Sequence, residues 1–434
     1  MPEKDWKGTA RFRKRAGCCD REKEAEMKIR NQARRRALIR AAAAGALSLT
    51  LAFGGAFGGV ALAGPADDIT LGIQAPGPSS AGTGASQTGA SGPAGSGQAQ
   101  QGGQGTAATD LSFYNQTLTD PIVRPVDGYS YDQMLADLTL LAARYPGQIS
   151  LQVIGQSLDG RDIYDVIVGN PSASKKVLIQ GAIHAREYIV IPLIMQQIEY
   201  LLAGQQGGGT YQGRPLSELL SQVAIHFVPV TNPDGVTLSQ MGESGIRSPQ
   251  LRQIIQTAYV LDTAEGRTQL GYDEYLRRWK ANARGVDLNY NFDAEWNAIN
   301  PALIHASSNG FRGTSPLSEP ESQALASLVT QNAFSAVVSY HAMGRVLYWD
   351  TQDNLKAAES YEMAQGVAAA TGYSILGSKG RGGLKDWAQK TQGIPSVTIE
   401  VGQSMCPVAF SEYPAIWDQN KAVAAYLASY VLSH

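Results

Sequence analysis

The chain has 434 residues, of which 43% are apolar and 17% charged, and its formal net charge is −2. Residues 1–40 carry 14 basic and 6 acidic side chains, so the remainder, with 22 basic and 32 acidic side chains, is acidic. Proteins that bind nucleic acids usually carry a basic surface on their folded part. This charge balance argues against that class, and we expect no nucleic acid among the partners.

The amino-terminal segment is predicted to direct export. Residues 41–63 form an uncharged run that follows several arginines and ends in Ala61-Leu62-Ala63. A basic flank, an apolar run and a small-x-small ending are typical of a secretory signal peptide. The run exceeds the usual signal core of roughly 7 to 15 residues and is long enough to span a bilayer, so cleavage and retention as a membrane anchor both stay open. Either outcome leaves the basic segment 1–40 in the cytoplasm and the rest of the chain outside.

A linker is predicted to follow. Residues 75–109 contain only Ala, Gly, Ser, Thr, Gln and Pro, and such side chains cannot offset the entropy lost when a backbone is ordered. We therefore predict a disordered Gly/Ser/Ala/Gln-rich linker over residues 64–112 and one catalytic domain over residues 113–434. That domain contains the single cysteine Cys406, so it has no internal disulfide and we expect a packed thiol.

Strands and helices alternate in the predicted domain. A helix begins after the capping residue Ser130 and carries Met134, Leu138 and Leu141 on one face. The predicted strands are 149–154, 163–168, 176–183, 223–230, 334–340 and 395–400, and the further helices are 189–202, 319–328, 356–370 and 417–432. This alternation predicts an α/β fold with a central mixed, largely parallel sheet flanked by helices.

Candidate metal ligands follow two of these strands. His184 and Glu187 come where strand 176–183 leads into a helix, and His341 follows strand 334–340. Ligand sites of open α/β sheets form at such carboxyl ends. Two histidines and a glutamate can hold one zinc ion and leave a fourth position open for water, as catalytic zinc sites do. The alternative for His184 is a histidine bonded within the core.

A third strand end supplies a candidate base. Glu400 closes strand 395–400, where a carboxylate can take a proton from a zinc-activated water and pass it to a leaving amine. The alternative is a surface glutamate. Three other histidines are predicted not to bind metal, because they lie inside a strand, in a polar loop and at the last residue: His226, His305 and His434.

Six motifs occur in an order that is specific to one enzyme family. They are Gly160-Arg161, GAIHARE (181–187), NPDG (232–235), GVDLNYNF (285–292), His341 and TIEVG (398–402). On these motifs the chain resembles the zinc carboxypeptidases over roughly residues 125–432. The resemblance implies a sheet of about eight strands, one zinc ion per chain on His184, Glu187 and His341, and Glu400 as the catalytic carboxylate. It also implies that Asp287 stands behind the first histidine and orients its ring.

The sequence departs from the family pattern around the substrate. In most members of the family, an arginine follows the asparagine at the position of Asn289, and the two side chains bind the free carboxyl terminus of the substrate. In this chain the next residue is Tyr290. Ser378 stands where the family has a mobile tyrosine. Lys280 occupies the position of an arginine that stabilises the oxyanion, and Arg284 lies nearby, so either cation is a candidate for this catalytic role.

These departures resemble a bacterial branch of the family, the γ-D-glutamyl-meso-diaminopimelate peptidases, which cut peptidoglycan stem peptides. In such a peptide, the amide that is cut joins the side-chain carboxyl of D-glutamate to an amine of the diamino acid. A pocket that lacks the arginine for a free carboxyl terminus suits this substrate. Arg381, Lys379 and Arg284 are candidates to bind the remaining carboxylates, and the alternative is that these residues are only solvated. We expect a monomer that acts on stem peptides or other peptides and meets a membrane only through an uncleaved amino-terminal segment.

Two other functions stay open. A conventional metallocarboxypeptidase would release carboxyl-terminal amino acids and take its anchor from another residue. An inactive wall-peptide-binding module would keep the ligands in a distorted site. A deacylase related to aspartoacylase is disfavoured, because it shares the His-x-x-Glu pattern but not the NPDG segment or the spacing.

Overall fold

The computed structural model describes residues 110–377 and 380–434. The predicted segments 1–40 and 41–63, nearly all of the predicted linker 64–112, and the candidates Ser378 and Lys379 lie outside the described residues. Within the two described ranges, no helix combines the length and the apolar character needed to cross a membrane.

An eight-stranded sheet forms the centre of the described domain. The strands in chain order are β1 (Ile149–Gln156), β2 (Asp162–Gly169), β3 (Lys175–Gln180), β4 (Thr210–Tyr211), β5 (Arg214–Pro215), β6 (Val223–Val228), β7 (Ala336–Ala342), β8 (Val346–Tyr348), β9 (Ser374–Leu376) and β10 (Ser396–Val401). Their order across the sheet is β1-β2-β6-β3-β7-β10-β8-β9, while β4 and β5 pair in a separate hairpin.

The four central strands run in one direction. Strand β3 pairs in parallel with β6 and β7, and β7 pairs in parallel with β10. Antiparallel strands extend the sheet on both sides, through β2 and β1 at one side and through β8 at the other. The predicted mixed, largely parallel sheet is confirmed. Its parallel strands are mostly apolar and buried because both faces of the sheet are covered, and their carboxyl ends meet at one edge of the sheet.

Helices cover both faces of this sheet. They are α1 (Tyr131–Arg144), α2 (Val190–Gly207), α3 (Leu216–Gln222), α4 (Pro233–Met241), α5 (Pro249–Ala264), α6 (Tyr272–Arg277), α7 (Pro320–Gln331), α8 (Ala357–Thr371), α9 (Leu384–Trp387), α10 (Tyr413–Asn420) and α11 (Val423–Ser433). Successive residues of a strand point to opposite faces. Accordingly Val177 and Ile179 join the apolar cluster that contains Leu193 of α2, whereas Leu178 joins the one that contains Leu325 of α7.

Several predicted elements are confirmed, and one predicted helix needs correction. The Ser130 hydroxyl accepts a hydrogen bond from the backbone N–H of Gln133 at 3.1 Å and caps α1, whose predicted apolar face is buried. The single helix predicted over 417–432 is wrong, because α10 and α11 occupy that region. The segment 236–275, between the NPDG and GVDLNYNF motifs, contains most of α4, all of α5 and part of α6. Cys406 is a buried free thiol, as expected.

The end of β3 differs from the prediction and determines where the first histidine lies. The strand stops at Gln180, three residues before the predicted end. A Cβ atom at Gly181 would lie 2.6 Å from Ile194 and 2.9 Å from Val190, so glycine lets α2 pack against the chain here. Ala182 then adopts a φ of +50°. The chain therefore turns out of the sheet and carries His184 to the edge where the parallel strands end.

Candidate active site

His184, Glu187 and His341 form a buried triangle at this edge. His184 Nδ1 lies 2.9 Å from Glu187 Oε1, His341 Nδ1 lies 3.0 Å from Glu187 Oε2, and the two Nδ1 atoms are 3.0 Å apart. All three side chains are buried. Residues from the loop after β3 and from the end of β7 therefore meet as the sequence predicted.

The chemistry of these donors fits a metal cation. His184 Nε2 lies 3.3 Å from Asp287 Oδ1. A carboxylate beside this nitrogen favours the tautomer with the ring proton on Nε2, which leaves the Nδ1 lone pair for the metal. Two ring nitrogens and a carboxylate at such short separations repel one another unless a cation lies between them. Ligands around a tetrahedral zinc ion are also separated by roughly 3 Å or slightly more, given bonds of about 2.0 to 2.2 Å.

A partly buried lysine and a buried aspartate lie behind the triangle. Lys280 Nζ lies 3.2 Å from Asp287 Oδ2, on the side of the carboxylate that His184 does not face. Burial alone would raise the pKa of Asp287, but Lys280 and His184 outweigh it and hold that pKa well below its usual range. Burial likewise acts to lower the pKa of Lys280, and Asp287 and Glu187 raise it overall. Both groups are therefore charged, and Asp287 can hold the ring of His184 in one orientation.

Glu400 lies beside the second histidine. Strands β7 and β10 pair in parallel, with Glu400 next to His341 in the register. Burial raises the pKa of Glu400 to about 7; Glu187 adds to the rise, and His341 and Lys280 act against it. A carboxyl group with a pKa near neutrality can both accept and return a proton, as a general base and acid must.

One cavity brings most of the predicted site residues together. It has a volume of about 470 Å³, and its lining includes His184, Lys280, Asn289, Tyr290, His341, Arg381 and Glu400. Both histidines and the candidate base therefore share one cavity with candidate substrate-binding groups.

Comparison with known proteins gives the same assignment as the geometry. The sequence profile of a family described as zinc carboxypeptidase matches residues 134–422. The chain belongs to the zinc carboxypeptidase family. It is a metallopeptidase, and the metal that its family implies for the three buried ligands is zinc.

Individual relatives support this assignment. The chain is 31% identical over 321 residues to gamma-D-glutamyl-L-diamino acid endopeptidase 1 of Lysinibacillus sphaericus, an alignment that covers 73% of this chain and 76% of the relative. It is 26% identical to the uncharacterized protein YqgT of Bacillus subtilis (strain 168), over 63% of this chain and 70% of that protein. The structure of bovine thrombin-activatable fibrinolysis inhibitor in complex with tick carboxypeptidase inhibitor has the same fold, with a TM-score of 0.55, 20% identity and coverage of 70% of this chain and 97% of that one.

The structure distinguishes Lys280 from Arg284, the two cations that the sequence left as candidates to stabilise the oxyanion. Lys280 lines the cavity of this zinc metallopeptidase. Arg284 does not line it: its side chain is half exposed, and Nη1 lies 3.6 Å from Glu319 Oε1. The prediction that Arg284 contacts the reacting groups needs correction, because the turn at residues 282–286 directs this side chain to Glu319.

Three candidate substrate-binding residues, Asn289, Tyr290 and Arg381, line the same cavity. Asn289 Oδ1 accepts a hydrogen bond from the backbone N–H of Leu384 at 3.2 Å, and Tyr290 lies next to it. Arg381 lines the cavity, its side chain is 47% exposed, and its Nε lies 3.0 Å from Glu295 Oε2. Its role in binding a substrate carboxylate stays a prediction.

Sequence reasoning missed two charged residues of the cavity. Lys385 and Asp386 line the cavity, although no motif marks them. His226 is buried, and its Nδ1 lies 2.7 Å from Asp165 Oδ2 on the neighbouring strand β2. His305 lies 3.1 Å from Glu265. Neither histidine approaches the metal ligands.

A buried amide shapes the loop that carries Lys280 and Asp287. The Asn282 side chain accepts hydrogen bonds from the backbone N–H groups of Arg284 and Val286, both at 3.0 Å. It donates to Glu319 Oε2 at 2.8 Å and to Glu321 Oε2 at 3.2 Å. Burial and the neighbouring Glu319 raise the pKa of Glu321 to about 8, so this carboxyl group is neutral in the folded enzyme at pH 7.

The substitution Glu321→Gln is expected to stabilise the enzyme at alkaline pH. The folded state keeps the Glu321 proton up to about pH 8, whereas an ordinary glutamate loses it near 4.5. Between these values the folded state binds more protons than the unfolded state, so wild-type stability falls as pH rises through this window. Glutamine removes this loss, and we expect a gain of roughly 2–4 kcal/mol at pH 9 but little change at pH 4.5. Urea unfolding at both pH values measures the difference.

The exposed Glu218, which pairs with Arg214 on the surface, provides the matched control. Glu218→Gln should change the free energy of unfolding by less than about 1 kcal/mol at both pH values. A gain from Glu321→Gln that is equal at pH 4.5 and pH 9 would show that Glu321 is ionised in the folded state.

Proposed function

We propose that this zinc metallopeptidase hydrolyses the bond between γ-D-glutamate and meso-diaminopimelate in peptidoglycan stem peptides. The observation that carries the proposal is Tyr290, which lines the cavity beside Asn289, where the family resemblance places an arginine that binds a free carboxyl terminus. The printed name of the Lysinibacillus sphaericus relative supports it, since that protein is a gamma-D-glutamyl-L-diamino acid endopeptidase.

The proposed substrate makes an anchor for a terminal carboxylate unnecessary. In a stem peptide the γ-carboxyl of D-glutamate is joined to an amine of the diamino acid, and further residues can follow that acid. A pocket that demanded a free carboxylate directly after the cut bond would exclude such longer peptides. Tyr290 offers a ring and a hydroxyl group in place of a fixed cation, so a continuing chain can pass this wall.

Different residues of the chain bind the metal, transfer protons and stabilise negative charge. When bound by His184, Glu187 and His341, one zinc ion supplies a Lewis acid that polarises the carbonyl and increases the acidity of water. Glu400 takes a proton from the attacking water and returns it to the leaving amine. The Lys280 ammonium faces the cavity and stabilises negative charge on the carbonyl oxygen, which a point charge can do without the planar fork of arginine.

The proposed location follows from the amino-terminal sequence. The basic segment and the uncharged run 41–63 are those of an export signal, and we propose that the catalytic domain acts outside the cell as a secreted or membrane-anchored monomer. The linker 64–112 would let the domain reach the wall from its exit point or anchor. Fractionation of cells, with sequencing of the mature amino terminus, tests this location and decides between cleavage and retention.

Digestion of defined muropeptides tests the substrate. Tri-, tetra- and pentapeptide muropeptides that contain meso-diaminopimelate are incubated with the zinc-loaded full chain, and the products are identified by mass spectrometry. We expect release of fragments that begin with diaminopimelate, because the amide between γ-D-glutamate and its amine is the bond cut.

Two other outcomes would contradict the proposal in different ways. Release of single amino acids from the carboxyl termini of linear peptides, with intact γ-D-glutamyl bonds, would favour a conventional metallocarboxypeptidase. Muropeptides that bind tightly and stay uncut would favour an inactive binding module.

A further inference from the structure

We infer that Lys385 and Asp386 form a recognition site for a side chain that carries both an ammonium and a carboxylate group. Both residues line the catalytic cavity, and each is more than nine-tenths buried. Lys385 Nζ lies 2.5 Å from Asp386 Oδ1, so the two form an ion pair. None of the proton transfers proposed above uses this pair, although burying it costs solvation free energy.

The pair has unused hydrogen-bonding capacity. The Lys385 ammonium donates to Asp386 Oδ1 and to the backbone carbonyl of Asp350, both at 2.5 Å, and an ammonium group has a third donor. Asp386 Oδ2 accepts from the backbone N–H of Gly383 at 3.2 Å. Two carboxylate oxygens offer about four acceptor positions, so the pair can still give one hydrogen bond and accept two.

Gly380 packs closely against the carboxylate of Asp386. A Cβ atom at Gly380 would lie 2.9 Å from both carboxylate oxygens of Asp386. Gly380 also lines the cavity. A larger residue at this position would therefore crowd or displace the Asp386 carboxylate, which lines the same cavity.

The charge of the pair selects the ligand. Lys385 and Asp386 together are neutral, so a ligand with one charge would add an unbalanced charge to a buried site, which is costly. A ligand with both charges can pair its ammonium with Asp386 and its carboxylate with Lys385. The side chain of meso-diaminopimelate ends in such an amino-acid group, whereas the side chain of lysine ends in an ammonium alone.

The position of the pair indicates which substrate residue it contacts. Leu384 comes directly before Lys385, and its backbone N–H donates a hydrogen bond to Asn289 Oδ1. The family resemblance places Asn289 next to the substrate amino acid on the amine side of the cut bond. The inference rests on the proposed function, which puts the diamino acid on that side. Lys385 and Asp386 would then distinguish stem peptides by their third residue.

Two substrates and two charge-removing variants test this recognition. The zinc-loaded full chain is assayed on stem peptides that are identical except for meso-diaminopimelate or L-lysine after γ-D-glutamate. We expect wild type to prefer the diaminopimelate peptide in kcat/KM by at least tenfold. Lys385→Met should lower this preference at least tenfold, because the remaining carboxylate suits lysine. Asp386→Asn should raise KM at least tenfold for both peptides, because both carry the ammonium.

Two further variants separate recognition from folding. Gly380→Ala keeps both charges and should raise KM for the diaminopimelate peptide by crowding or displacing the carboxylate of Asp386. Lys356→Met removes a surface lysine that pairs with Glu359 and should keep the wild-type preference. The ratio of the two kcat/KM values does not depend on the fraction of enzyme folded.

The possible results have separate meanings. Equal cleavage of both peptides by wild type, or an unchanged ratio in Lys385→Met, would overturn the recognition role of the pair and leave the proposed function in place. No cleavage of either peptide by wild type would overturn the proposed function together with this inference.

Discussion

Glu400→Gln should lower kcat on the cleaved muropeptide by about 10²- to 10⁴-fold, the usual contribution of a general acid or base. Glutamine has nearly the shape of glutamate but cannot take a proton from water at neutral pH. Because burial already raises the pKa of Glu400 to about 7, loss of its charge should not destabilise the fold. Turnover on the muropeptide, zinc content and thermal unfolding of wild type and variant measure the three effects.

The expected result has a specific pattern: wild-type zinc content, an equal or higher melting temperature, and little turnover. It follows from Glu400 being a cross-strand neighbour of His341 and not one of the three grouped ligands. Turnover within tenfold of wild type would place the base on another residue. Loss of zinc would instead show that Glu400 belongs to the ligand set.

The sequence predicted the site residues at strand ends because a simple rule connects them. His341 and Glu400 lie at the ends of continuous apolar runs, and parallel strands bring their carboxyl ends to one edge. Neither residue needs loop geometry to reach the cavity. Strand pairing alone makes these two residues neighbours, so the pattern of apolar residues was enough.

Other features of the fold could not be predicted from a sequence pattern, because tertiary contacts determine where these strands and helices begin and end. The residues after Gln180 are apolar and extend the apparent strand, yet packing of α2 against Gly181 ends it. Strands β8 and β9 have three residues each, too few to show a period of two. The break between α10 and α11, near Lys421, carries no proline or glycine.

The charged residues that line the substrate cavity could not be predicted from the sequence either, because loop conformation decides which of them face it. Lys280 and Arg284 are equivalent by charge and lie four residues apart, and only the hydrogen bonds of Asn282 show that the second one turns away. Lys385 and Asp386 are adjacent charged residues, which usually indicate a solvated surface. Their placement depends on the contact of Lys385 with the backbone carbonyl of Asp350, which lies 35 residues earlier in the sequence.

Glu187→Gln should abolish activity by a different route, through loss of the metal. Glutamine keeps the size of the side chain but removes the negative charge between His184 and His341. Substitution of residues that only orient metal ligands costs about 10- to 100-fold in affinity. We therefore expect zinc affinity to fall by at least about 10²-fold, with activity restored in proportion to zinc occupancy. Competition with a chromophoric chelator measures the affinity.

Thermal unfolding gives a second measurement of the same effect. Free zinc at about 100 times its dissociation constant stabilises a folded protein by about 2.7 kcal/mol, and a 100-fold loss of affinity reduces this to about 0.4 kcal/mol. Added zinc should therefore raise the melting temperature of the metal-free wild type clearly and that of Glu187→Gln little. Asp287→Asn, which leaves all three ligands in place, should fall between them. Equal zinc affinity in wild type and Glu187→Gln would place the metal outside the triangle, and the proposed hydrolysis would lose its basis.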